Sequence, residues 1–208
     1  MEAIFSATPP LESLRALVAK AAVACPVLPD GSWRPDPHKI MLVDVSRSHF
    51  YADAVRDVYT QLPEEDSESQ HPGKCGKLEK TIDAAERWAE HYSATLCSAG
   101  FIRGTASPCH FFHPGKDIWV LVHGDDFVIV ARQAGRAYAE KVLRDNYEVK
   151  VDIAGPRPEG PKEIKILGRI VTCTEDGILC EPDPGHMERV IHELGMSGGK
   201  GAATPGVK

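Results

Sequence analysis

The stretch that decides the fold is Ile118 to Ala131, which reads IWVLVHGDDFVIVA. Two apolar runs rich in β-branched residues, Ile118 to His123 and Phe127 to Ala131, flank Gly124-Asp125-Asp126. Such runs favour strands, whereas Gly and Asp favour tight turns. The pattern therefore predicts a β-hairpin with two adjacent carboxylates at its tip.

The flanking sequence adds strands and helices to this hairpin. Upstream, Lys39 to Val45 (KIMLVDV) reads as a buried strand with Asp44 near its end. A second predicted strand, Glu163 to Cys173, pairs through Asp176-Gly177 with Ile178 to Glu181. Helical spacing of apolar residues and capping signals predict helices over 1–26, 83–101 and 132–145 and a last one opening at Asp183-Pro184.

This order of elements predicts an α+β fold, with an antiparallel sheet and the helices on one face. In the last helix, four apolar side chains are expected to point inward: Met187, Val190, Ile191 and Leu194. Residues 62–76 read as a polar surface loop, and the Gly-rich tail from Ser197 is expected to be mobile.

Composition narrows the functional classes. The chain has 208 residues, 42% of them hydrophobic, which is enough for a packed core. No apolar run approaches the ~20 residues of a membrane span, and no secretory signal is indicated, so no membrane partner is expected. Six scattered cysteines without a C-x-x-C pair favour reduced thiols in a cytoplasmic or nuclear chain over zinc or disulfides. The net charge of −6 argues against a freestanding nucleic-acid binder.

Three aspartates are the candidate residues for a catalytic or metal-binding site. If the Lys39–Val45 strand lies beside the hairpin, Asp44, Asp125 and Asp126 converge. Two bare carboxylates ~4 Å apart repel by about 4 kcal/mol at an effective dielectric of 20, so such a cluster implies a bound cation or retained protons. Magnesium takes oxygen ligands of this kind together with substrate phosphates. The alternative is a solvated hairpin turn, because 14 aspartates in this chain lead to about one adjacent pair by chance.

The segment from Ala84 to Ala131 carries further motifs in order. They are Trp88 within a helix, Gly100-Phe101, Ser107-Pro108-Cys109, Phe111, and His123-Gly124-Asp125-Asp126. Together with the Lys39–Ala52 strand, Ile166-Leu167-Gly168, Asp176 to Leu179, Leu194-Gly195-Met196 and Ala203-Thr204-Pro205-Gly206, these motifs resemble the reverse transcriptase of copia-type LTR retrotransposons. The resemblance covers roughly residues 38–208.

That resemblance implies a polymerase palm for RNA-directed DNA synthesis. Asp44 and Asp125 would bind two magnesium ions, with manganese as a possible substitute, and Asp126 would support them. His49 or Phe50 would screen the incoming nucleotide for a 2′-hydroxyl, and Leu167-Gly168 would grip the primer; core packing and a strand bulge are the structural alternatives for Phe50 and Gly168. Lys150 would protonate the leaving pyrophosphate, unless it is a plain surface lysine.

The same resemblance implies partners and an organisation of the chain. The partners are an RNA or DNA template-primer, deoxynucleoside triphosphates and the remainder of a Pol polyprotein, within a virus-like particle. Residues 1–38 would be a helix and Pro-rich linker left from the fingers, and 39–153 the palm. Residues 154–196 would form a hairpin and helix of thumb or connection type, and 197–208 a tail leading toward ribonuclease H.

Two departures from the family leave other functions open. The family has a Tyr-Gly-Leu-like turn before the Trp helix, whereas Lys80 to Asp83 runs straight into it, as if about four residues were missing. His123 stands where the family has Tyr. The alternatives are a catalytically inactive retrotransposon remnant and a generic α+β interaction module.

Overall fold

The computed structural model describes residues 8–23, 35–71, 73–80, 84–155, 163–174 and 177–199. Within them, the α-helices are α1 (Leu11–Val23), α2 (Ala84–Ser98), α3 (Gln133–Arg144) and α4 (Pro184–Glu193). The strands are β1 (Lys39–Val45), β2 (Asp53–Thr60), β3 (Gly76–Lys80), β4 (Ile102–Arg103), β5 (His110–His113), β6 (Ile118–His123), β7 (Asp126–Ala131), β8 (Val149–Ala154), β9 (Glu163–Ile166), β10 (Arg169–Cys173) and β11 (Ile178–Pro182).

A six-stranded antiparallel sheet organises the molecule, in the order β4-β5-β6-β7-β1-β8. The predicted hairpin forms its centre as β6 and β7, and the predicted strand β1 lies directly beside β7. Two smaller antiparallel sheets, β11-β10-β9 and β2-β3, complete the fold. The α+β class is therefore confirmed.

Both faces of the large sheet are covered, because its central strands are apolar on both sides. Met41, Val43 and Val45 of β1 pack into a cluster with side chains of α2 and α3. Ile40 and, at the edge, Leu42 point the other way, into a cluster with side chains of α1, β9 and β10. The prediction that the helices lie on one face is thus wrong for α1. The cause is the continuous apolar run of β1 and β7, which leaves two faces to bury.

The C-terminal part differs from the prediction in two places. The predicted strand Glu163–Cys173 is broken by a turn at Leu167-Gly168, where both residues have positive φ angles, 50° and 69°. Helix α4 begins as predicted, with the Asp183 carboxylate accepting a hydrogen bond from the Gly185 N–H. The prediction that its apolar side chains point inward is wrong for Met187, Ile191 and Leu194, which are exposed, whereas Val190 is half-buried.

Some predictions fall on parts of the chain that lie outside the described residues. They concern the helix cap at Asp83, most of the Lys80–Asp83 segment, the ends of the 1–26 helix, and Ala203 to Gly206. The predicted loop 62–76 contains a short 3-10 helix, Ser67–Gln70, and leads into β3. None of the helices in the described segments is both long and apolar enough to cross a membrane.

Candidate active site

Two of the predicted site residues face each other across neighbouring strands. In the antiparallel pairing of β1 with β7, Asp44 is the direct partner of Asp126. The sequence neighbours of the two aspartates pack against α2 and α3; they are Val43 and Val45 on β1 and Phe127 on β7. Because successive side chains of a strand point to opposite faces, Asp44 and Asp126 point to the other face of the sheet. The predicted meeting of Asp44 with the hairpin carboxylates is therefore present, and its cross-strand member is Asp126.

These two aspartates belong to a row of ionisable side chains that crosses four strands. His123 of β6 pairs with Asp126, and Lys150 of β8 pairs with Asp44. By the same alternation, His123 and Lys150 share the face of the two aspartates. We call His123, Asp126, Asp44 and Lys150 the polar row. The row lies near the ends of its strands, beyond the apolar residues that pack against α1, and none of its four residues is fully buried.

The electrostatics of the row favour a cation. The pKa of the Asp126 carboxyl is raised, first by burial, then by the negative charges of Asp125 and Asp44, while His123 lowers it. Buried carboxylates that repel each other gain stability when a cation or a proton is placed between them. The donor set, carboxylate oxygens on one face, therefore matches the ligand preference of magnesium or manganese.

Asp125 occupies the turn before β7, and its side chain is exposed. Two contacts hold the backbone on either side of it. The Val45 N–H donates to the Asp125 carbonyl oxygen at 3.1 Å. The Trp88 indole N–H donates to the Gly124 carbonyl oxygen at 2.7 Å. Gly124 has a φ of 62°, in the left-handed region that a glycine adopts without strain.

The chain after Asp44 turns sharply beside the site. Arg47 has a φ of 55° and its guanidinium donates to the Glu148 carboxylate at 2.6 Å, which raises the pKa of Arg47. The Ser46 N–H donates to the Glu148 carbonyl oxygen at 2.9 Å. These contacts anchor the short 3-10 helix Ser48–Phe50 next to the carboxyl end of β1.

The predicted nucleotide-contacting residues lie on that 3-10 helix. Phe50 is 64% exposed, so the alternative that it packs in the core is wrong. The His49 backbone belongs to the same helix, and its side chain lies outside what the structure describes. Phe50 is therefore an exposed aromatic residue that follows Asp44 closely in the sequence.

Leu167-Gly168, the predicted primer grip, form the turn between β9 and β10. The alternative of a bulge within one strand is wrong, because the two residues form the turn that separates β9 from β10. The Asp183 N–H donates to the Gly168 carbonyl oxygen at 3.0 Å and joins this turn to the start of α4. Lys165, Gly168, Asp183 and Arg189 are among the residues that line a cavity of about 580 Å³ there.

No group of three or more His, Cys, Asp or Glu side chains in the described segments is arranged to hold a metal ion by itself. Magnesium sites that act on nucleotides commonly use one or two carboxylates and complete the shell with phosphates and water. Asp44 and Asp126, with Asp125 beside them, supply the carboxylate share of such a shell.

Two features of the site were not foreseen from the sequence. The first is strand β8, which brings Lys150 opposite Asp44. Its sequence, VKVDIA over Val149–Ala154, shows the alternation of apolar and polar residues that predicts a strand. The second is the contact of Trp88 with the turn, which nothing in the sequence indicates, because the helical spacing of Trp88 predicts only that it packs in the core.

Searches against protein-family models, curated proteins and solved structures find no match to this chain.

Proposed function

We propose that this chain is the palm of an RNA-directed DNA polymerase, a nucleotidyltransferase of the copia-type reverse transcriptase kind. The observation that carries the proposal is the pairing of Asp44 with Asp126 at one end of an antiparallel sheet, with Asp125 in the adjoining turn. The ordered motifs from Trp88 to Asp126 and the strand of Asp44 support the same function by resemblance.

The reaction joins a primer 3′-oxygen to the α-phosphorus of a deoxynucleoside triphosphate. The bond from that phosphorus to the bridging oxygen breaks, pyrophosphate leaves with the bonding electron pair, and the primer hydroxyl proton passes to water. A pair of bound magnesium ions, or manganese, would stabilise the attacking and leaving oxygens of this displacement. Asp44, Asp125 and Asp126 are the residues that would hold them.

The other residues of the site take supporting roles in this proposal. Phe50, exposed on the 3-10 helix, would exclude a ribose 2′-hydroxyl, with His49 beside it. Lys150, exposed opposite Asp44, would give a proton to the leaving pyrophosphate. Leu167-Gly168 would contact the primer strand from the β9–β10 turn.

The same proposal includes the biological setting. The partners would be an RNA or DNA template-primer, deoxynucleoside triphosphates and the remainder of a Pol polyprotein. The place would be the cytoplasm or nucleus, within a virus-like particle. The negative net charge predicts weak binding of the template-primer, because the phosphates repel a chain with an acidic surplus.

Primer extension on an RNA template, with magnesium or manganese, tests the proposal. We expect the wild-type chain to extend the primer, and Asp44→Asn, Asp125→Asn and Asp126→Asn each to lower the rate by about 100-fold or more, because cation stabilisation of the transition state is worth several kcal/mol. Asp152→Asn is the matched control. Asp152 lies on the same face of the sheet as the polar row, opposite Leu42 rather than an acid.

Extension that survives unchanged in all three site variants would contradict the assignment. A catalytically inactive remnant would share the site and bind manganese without extending the primer, and this is the second candidate. A wild-type chain that binds no divalent cation would contradict both of these candidates and favour the third alternative, an α+β interaction module.

A further inference from the structure

The indole of Trp88 contacts the aspartate turn from the side opposite to the polar row. Its N–H donates to the Gly124 carbonyl oxygen at 2.7 Å, and its side chain is buried, with the residue only 2% exposed. We infer that Trp88 is a positioning residue, which sets the backbone of Asp125 and thereby the cation affinity of the site. The inference rests on the proposed function, in that the cation site is the one assigned there.

The geometry gives the reason. A peptide unit is planar, so the orientation of a residue is set by the two planes that flank its Cα atom. The Gly124 carbonyl belongs to the plane before Asp125, and the Asp125 carbonyl to the plane after it. Trp88 holds the first plane and the Val45 N–H holds the second. The two contacts together therefore restrain the peptide planes on both sides of the Asp125 Cα atom.

The indole itself is held in place by neighbouring rings. Tyr92, Phe127 and Tyr147 meet it edge to face, with centroids 5.4, 6.2 and 5.0 Å away. Tyr51 packs against it at 6.2 Å, and the Tyr51 hydroxyl accepts a hydrogen bond from the Glu148 N–H. A donor fixed on four sides holds the turn more firmly than a mobile side chain would, because little side-chain freedom remains to be lost.

The test removes the donor and keeps a ring. Trp88→Phe deletes the N–H, and a chain with 3-benzothienylalanine at position 88, in which sulfur replaces the N–H, deletes it without changing the shape. Trp119→Phe is the matched control, since the Trp119 indole N–H also donates a 2.9 Å hydrogen bond, to the Asp117 carboxylate, at the other end of β6. Manganese alone is the probe, titrated by the loss of its free electron paramagnetic resonance signal.

We expect the half-saturating manganese concentration to rise about tenfold for Trp88→Phe and for the sulfur analogue, equivalent to ~1.4 kcal/mol, and to stay unchanged for Trp119→Phe. Partial unfolding would lower the number of sites without moving the half-saturation point, so a purely structural role is distinguished. If Trp88→Phe fails to fold, the sulfur analogue decides.

An unchanged half-saturation point in a folded, donor-free chain would overturn the inference, as would an equal rise in the Trp119 control. Primer extension is measured in parallel. A wild-type chain that binds manganese but extends no primer overturns the proposed function, while the manganese titration still decides the role of Trp88.

Discussion

Asp126→Asn is expected to stabilise the metal-free protein while it removes the response to magnesium. In the native chain Asp126 lies directly opposite Asp44, with Asp125 as its neighbour in sequence. Burial, and after it the charges of both aspartates, raise the pKa of Asp126. An asparagine of the same shape carries no charge, so this repulsion disappears. A residue selected only for stability would not show this behaviour, whereas a cation ligand would.

The magnitude follows from the strand pairing. Directly opposed residues have Cβ atoms about 5 Å apart, and two unit charges at that distance repel by ~3 kcal/mol at an effective dielectric of 20. Lys150 beside Asp44 and His123 beside Asp126 offset part of it. Like-charged cross-strand pairs cost up to ~1 kcal/mol in practice, and for a chain of this size that shifts Tm by roughly 2–4 °C.

The assay is thermal unfolding in EDTA and in excess magnesium. In EDTA we expect the Asp126→Asn protein to melt roughly 2–4 °C above wild type, and Asp152→Asn to melt with wild type. At a magnesium concentration about ten times Kd the wild type gains ~1.4 kcal/mol, and the Asp126→Asn protein gains little of it. An Asp126→Asn protein that melts below wild type in EDTA, or that gains as much from magnesium, would refute the reasoning.

Three further outcomes are expected. Because the pKa of Asp126 is raised in the folded protein, the folded chain binds more protons than the unfolded one above the ordinary pKa of about 3.9. Its free energy of unfolding in EDTA, measured with urea, should therefore contain a part that falls as pH rises through the raised pKa and that is missing in Asp126→Asn. Phe50→Ala should change the free energy of unfolding by less than about 0.5 kcal/mol, since Phe50 is 64% exposed. In primer extension the same substitution should lower the preference for deoxynucleotides over ribonucleotides, and an unchanged preference would contradict the role of Phe50. Ile191→Glu on the exposed face of α4 should leave Tm within about 2 °C of wild type, whereas a large loss in differential scanning calorimetry would show that this face is packed.

Local sequence patterns predicted the strands and helices around the site, because the apolar spacing and turn residues of each segment favour the structure that the segment adopts. The bounds of β1 and β6 match the prediction, and α4 begins where its capping signal at Asp183-Pro184 indicates. Leu167-Gly168 was missed as a turn because a leucine with positive φ is rare, so the sequence favoured a continuous strand. The exposed apolar side chains of α4 were missed because helical periodicity says that a face is apolar, not that a partner covers it.

By itself, the sequence determined the hairpin, its adjacent aspartates and the separate strand that ends near Asp44. In the structure Asp125 lies in the turn of the hairpin, whereas Asp126 is the first residue of β7. Only the tertiary structure decided that β1 inserts between β7 and β8, which sets Asp126 and Lys150 on either side of Asp44. The physical reason is that alternation along a strand specifies which residues share a face but not which strand is its neighbour. That choice depends on burying both faces of the sheet, one under α2 and α3 and the other under α1 and β9–β10.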